Sequence, residues 1–211
     1  MPEESLPKES LLSEEDERRY NFLIAMYNQL WGNINRHINL IWQPIALLIT
    51  IFGLLFLSKD GTIDFNLSVS LIIIFVGWFI AHVYDSSHWY NRNLIIISNI
   101  EKQFLRKSDV EYIHPYFIDD SDKKSDFDEK RMITHFKLQL YLGIIMLIII
   151  ILFYIINTIE QLNSELKFIL NLEVCLPIVL LILVTIWLQN FKKKIFKKYK
   201  FLKEKSPGKE I

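Results

Sequence analysis

Four runs of the chain, residues 38–57, 67–84, 138–156 and 172–188, are apolar over about 17–20 positions each. At 1.5 Å per residue a helix of that length reaches about 26–30 Å, enough to cross a hydrocarbon core of about 30 Å. Buried strands seldom run so long. Residues 144–156 are apolar on every helical face except at Tyr154, which suits lipid better than a soluble core. The pattern predicts an all-α polytopic membrane protein: four transmembrane helices in two hairpins, with helical extensions outside the bilayer.

The polar stretches have their own periodicity. Residues 1–12 hold Pro2 and Pro7 among scattered charges and are expected to be a disordered tail. Ser13, followed by Glu14, Glu15, Asp16 and Glu17, has the form of a helix N-cap with an acidic first turn. From there Tyr20, Tyr27, Ile34 and Ile41 recur every seven residues, with Leu23 or Ile24, Leu30 or Trp31, and Ile38 between them. This heptad-type stripe predicts an amphipathic helix over 13–37. Tyr20, Leu23, Tyr27, Leu30 and Ile34 are its expected oligomer seam. Asn21, Asn28 and Asn35 form a second row, either a solvated face or a polar lining in a ring of subunits. Pro44 and Pro177 are expected to kink or loosen their spans.

Residues 81–105 run from apolar into charged sequence with no Pro or Gly, which predicts one helix leaving the membrane and continuing beyond it. His82, Asp85 and Trp89 fall one turn apart, as do Asp85, His88 and Arg92. This is the candidate functional cluster. A charge-paired interfacial anchor, a lipid-headgroup contact, a pH-sensitive switch and a metal site all fit the residue types. Further along, the apolar Leu94, Ile95, Ile97, Ile100, Phe104 and Leu105 need a covering partner, and the 20–38 stripe is the natural one. The 85–137 segment ends in a loop crowded with Asp119, Asp120, Asp122, Asp126 and Asp128. It lacks the central Gly of a calcium loop, and Lys123 and Lys124 interrupt the Asp series. The tail, 189–211, places Phe191, Ile195, Tyr199 and Leu202 on one face. Lys192, Lys193, Lys194, Lys197 and Lys198 are its expected contacts with anionic headgroups.

Orientation follows from Lys and Arg. The links 58–66 and 157–171 hold one lysine each, Lys59 and Lys167, whereas the central segment and the tail each carry a dense basic set. The positive-inside rule then puts both termini and the central segment in the cytoplasm. The hairpins 38–84 and 138–188 face their short links outward.

Composition adds limits. The chain is 51% hydrophobic yet 23% charged, which fits apolar spans joined to polar segments. The formal net charge of zero gives no general case for nucleic-acid binding. Cys175, the single cysteine, cannot form an internal disulfide or a Cys-rich metal site. The wealth of Ile, Lys and Asn hints at an AT-rich bacterial genome. No apolar signal region is expected near the start of the sequence. Gly-rich phosphate loops, Gly-x-Ser-x-Gly, His-Glu-x-x-His and Cys pairs are all missing, and Arg131 and His135 stand too close for the helical ribonuclease pattern of some defence proteins. No catalytic residue, cofactor or metal site is expected.

Two blocks, YNFLIAMYNQLW at 20–31 leading to NRHI at 35–38, and HWYNRNL at 88–94 with NIEKQF at 99–104, resemble the RipA-type family of octameric bacterial inner-membrane proteins. That resemblance implies a homo-oligomer in the bacterial cytoplasmic membrane, of about eight subunits. The leading functional expectation is a self-assembling scaffold or stress-related membrane component without catalytic activity. An oligomeric pore or membrane-disrupting defence effector is the alternative, resting on the Asn row with Gln43, Thr50 and Ser70. A lipid-acting enzyme built on His82, Asp85, His88 and Arg92 ranks below both.

Overall fold

The structure is a computed structural model and describes residues 13–38, 43–104, 134–162 and 172–204. All regular elements among them are helices: α1 (Glu14–Ile38), α2 (Gln43–Lys59), α3 (Phe65–Phe104), α4 (Thr134–Leu162) and α5 (Leu172–Glu204). The tail over 1–12, the acidic loop and residues 163–171 of the second link lie outside the described residues, while 157–162, expected in that link, continue α4.

The helix ends follow from local chemistry. Ser13 Oγ accepts the Asp16 N–H at 3.1 Å, which supplies one of the partners that a first turn lacks. Pro44, expected inside a span, stands second in α2, where a missing N–H costs nothing and no kink results. Pro177 lies within α5 and is fully buried. The turn between α2 and α3 closes with a Schellman pair: Gly61 N–H to Ser58 O at 3.1 Å and Thr62 N–H to Leu57 O at 3.0 Å. Gly61 makes this possible at φ 75°, a conformation costly for other residues. Asp64 then caps α3, its Oδ1 accepting the Leu67 N–H at 2.9 Å.

Forty residues make α3 about 60 Å long, roughly twice a hydrocarbon core. The expected continuous helix through 81–105 is therefore present up to Phe104, and the other four helices pack on α3. Its first half is buried among them, with Ile72, Val76, Phe79 and Val83 nearly inaccessible. α2 returns beside it through Leu47 and Ile51. α4 runs antiparallel to it, since Phe65 stacks near Tyr154 at one end and Tyr90 meets Phe136 at the other. α5 runs parallel to it, Gly77 lying against Val184 and Tyr84 against Lys192. At the far end of this bundle the Tyr154 hydroxyl donates to the Val174 carbonyl, tying α4 to the start of α5.

The surface is inverted relative to a soluble protein. Ile145, Ile148, Ile149 and Leu152 of α4 and Ile182, Leu183 and Ile186 of α5 all face outward. Contiguous exposed apolar surface of this extent requires a non-aqueous neighbour. α3, α4 and α5 are long and apolar enough to cross a membrane, whereas α2, with 17 residues, spans about 25 Å. Three helices of spanning length and an outward apolar band define a membrane protein.

Candidate functional site

Beyond Tyr84, the last residue of the apolar run, α3 carries its polar cluster. Tyr84, His88 and Arg92 succeed one another at four-residue spacing and share a face. His88 is buried, while Asp85 and Arg92 are partly exposed. The expected charge pairing does not form: Asp85 and Arg92 make no ion pair among the described residues. Arg92 lies instead over the Trp89 ring, 4.8 Å from its centroid, and Trp89 is 41% exposed. His88 approaches the same indole edge-on at 6.2 Å. One turn earlier His82 stacks flat on Trp78, with Ser86 Oγ 3.4 Å from its Nε2. Four of the five residues of the candidate cluster thus fall into two local groups, His82 with its neighbours Trp78 and Ser86, and His88 and Arg92 about Trp89, with Asp85 in neither.

α5 completes the second group. Lys192 Nζ sits 5.5 Å from the centroids of both Tyr84 and Phe196. Ile195 is buried next to it, so this side of α5 faces α3. Lys198 follows three residues on; it is exposed, yet close enough to act on His88. Lys193, Lys194, Lys197 and Lys200 are exposed on the outer side. The lysines expected as headgroup contacts therefore divide into a pair associated with the α3 face and a set directed outward. Sequence spacing showed the row on α3, but it held nothing that would connect it to Lys192 and Lys198.

The pKa of His88 is lowered, chiefly by burial, with Asp85 opposing and Lys198 and Arg92 adding to the depression. An imidazole with a depressed folded pKa stays neutral in the fold when the unfolded chain has begun to take up a proton near 6.5. Its stabilising contribution is complete above that value and is lost as pH falls through the folded pKa. The thermal midpoint in detergent should therefore drop on acidification below pH 6.5, and His88→Gln should flatten that dependence. An unchanged pH profile in the variant would assign the effect elsewhere.

The distal half of α3 forms a second assembly with α1. Leu30, Ile34, Ile97 and Ile100 are buried together, with Leu23, Met26, Tyr27 and Trp31 packed around them. Tyr20 meets Phe104 edge-on at 5.0 Å, and the Tyr27 hydroxyl donates to Glu101 Oε1 at 3.1 Å. Arg19 reaches the Gln103 side chain at 2.6 Å. Burial raises the pKa of Glu101, partly offset by the Tyr27 hydrogen bond, and raises that of Tyr27 as well. The five residues expected as an oligomer seam are thus all brought against α3 of the same chain, the partner foreseen for its apolar face. Away from α3, α1 leaves Phe22 67% exposed and Ile24 exposed on its two flanks, since two residues turn a helix by about 200°, and the row Asn21, Asn28 and Asn35 is exposed too.

Among the described residues no group of three or more His, Cys, Asp or Glu is placed to hold a metal ion. Thr50 and Ser70 spend their hydroxyls on their own helices, donating to the Ala46 and Asn66 carbonyls at 2.9 and 2.7 Å. Fold and site together define the class: an all-helical membrane protein whose central helix continues well past its apolar part. No family model, curated protein or solved structure matches the chain.

Proposed function

We propose that this is a self-assembling protein of the bacterial cytoplasmic membrane, a homo-oligomeric scaffold without catalytic activity. α2 joins α3, α4 and α5 as a fourth span, and both termini lie in the cytoplasm with the basic end of α5 against anionic lipid. The observation that carries this reading is the apolar surface left on α1. Its heptad stripe is already covered by α3, yet Phe22 and Ile24 still face outward on a helix that lies beyond the spans. Water is a poor neighbour for a side chain as large as Phe22, and a second copy of the chain would bury it. The resemblance of residues 20–38 and 88–104 to RipA-type proteins agrees with this and suggests a ring of about eight.

Native mass spectrometry of the detergent-purified protein tests the reading. A single closed oligomer that dissociates in Phe22→Asp is the expected result; a monomer at all concentrations would overturn it. The exposed Asn21, Asn28 and Asn35 favour a second reading, a pore lined by this row. Ion flux through reconstituted liposomes that is reduced when the three are replaced by leucine would support it, and sealed liposomes would exclude it.

A further inference from the structure

The junction of α3 and α5, just past the apolar part of both helices, holds more cationic chemistry than packing requires. Tyr84, His88 and Arg92 share a face of α3, Lys192 of α5 lies over the Tyr84 ring, and Lys198 is near enough to act on His88. Each of two cations is backed by rings: Arg92 by Trp89, and Lys192 by Tyr84 and Phe196. Aromatic backing holds a cation in place without neutralising it. Neither Arg92 nor Lys198 forms an ion pair with a carboxylate among the described residues. Among the described residues Asp85 favours a charge on His88, while Lys198 and Arg92 oppose it.

Such a set of cations selects its ligand by charge. Guanidinium and ammonium groups both bind phosphate oxygens, the guanidinium as a planar two-point donor. The half-exposed indole of Trp89 suits the boundary between acyl chains and headgroups. We infer that the α3–α5 junction is a binding site for one phosphate-bearing group, held by Arg92, Lys192 and Lys198 and flanked by Trp89. This rests on the reading that the end of α3's apolar run lies at the membrane surface, and it deepens the lipid contact proposed there. The site differs from the outward lysines, Lys193, Lys194 and Lys197, which provide only a diffuse field falling off with salt.

The test uses the full chain, purified from membranes and exchanged into a neutral detergent. Native mass spectrometry would follow titration with phosphatidylglycerol, with phosphatidylcholine and with inorganic phosphate. One phosphatidylglycerol per chain should remain bound through mild activation. Arg92→Gln combined with Lys198→Gln should reduce that retention at least ten-fold, while Lys193→Gln, Lys194→Gln and Lys197→Gln together should change it less than two-fold. The triple variant should instead lose salt-sensitive binding to anionic vesicles. Phosphate alone competing the lipid off at millimolar concentration would assign the site to a soluble phosphate; equal loss in both variants, or equal retention of phosphatidylcholine, would overturn the site. Circular dichroism of the variants guards against misfolding, and wild-type-like retention in a folded Lys192→Arg protein supports the charge requirement. Recovery of the wild-type chain in the soluble fraction rather than in membranes would defeat the underlying membrane reading, separately from the site.

Discussion

Gly77→Leu is expected to separate α3 from α5 and to destabilise the protein by about 2–3 kcal/mol or more. A Cβ added at Gly77 would run into Val184 Cγ1, closer than real packing allows. Val184 is β-branched and has little rotamer freedom within a helix, so the backbones must part. Parting is costly along this pair because parallel helices share a long line of contact, and between apolar helices in lipid close packing is itself the main attraction. The thermal midpoint of detergent-purified protein should fall, and Gly77→Leu combined with Val184→Ala should recover much of the loss. A destabilised single variant with no recovery in the double would show that Val184 is not the obstacle. Gly143 gives an internal comparison: a Cβ there would meet Phe79 Cδ1 and Ile80 Cγ1 at 3.1 and 3.0 Å, so Gly143→Ala should be tolerated better.

The second large effect is expected at Ile97. Its side chain has no exposed surface and sits between Leu30, Ile34 and Ile100. Ile97→Asp would place a carboxylate in an apolar pocket without a partner, at a cost of about 3–5 kcal/mol. That exceeds what a contact layer built on Leu30, Ile34, Ile97 and Ile100 can withstand, so α1 should leave α3 while the spans stay folded. Limited proteolysis reads this directly: cleavage within 14–38 should accelerate greatly, with α4 and α5 protected. Because α1 also carries the exposed Phe22, the same variant should alter the oligomer mass. Protease resistance equal to wild type would mean that α1 is held by contacts other than this cluster.

These two sites show what is legible in the sequence. The continuity of α3 is legible because nothing in 81–105 breaks a helix, and the Ser13 cap because its acidic first turn is a local signal. The stripe on α1 is legible as a face, since a seven-residue period fixes which residues line up. The period does not say what covers that face, and α3 of the same chain does so as well as a second copy would. Spacing of four along α3 puts His88 and Arg92 on one face, but the ion pair that the residue types suggest with Asp85 gives way to stacking on Trp89, whose ring lies under the guanidinium. The junction with Lys192 and Lys198 is out of reach, because the register between α3 and α5 depends on Gly77 meeting Val184, and a small residue in an apolar run carries no sign of its partner. Pro44 looks like an interior kink only while the apolar run is counted from residue 38; the helix itself starts at Gln43.

The length of α3 also has a mechanical meaning. A single 40-residue rod without proline acts as a lever pivoted inside the bundle. Tilting it by about 5° around its Phe65 end would sweep the Phe104 end through about 5 Å. α1, clamped along the outer arm by Leu30, Ile34, Ile97 and Ile100, would travel with it. A displacement of α1 would then move the same continuous helix that is buried at Ile72 and Val76 within the bundle.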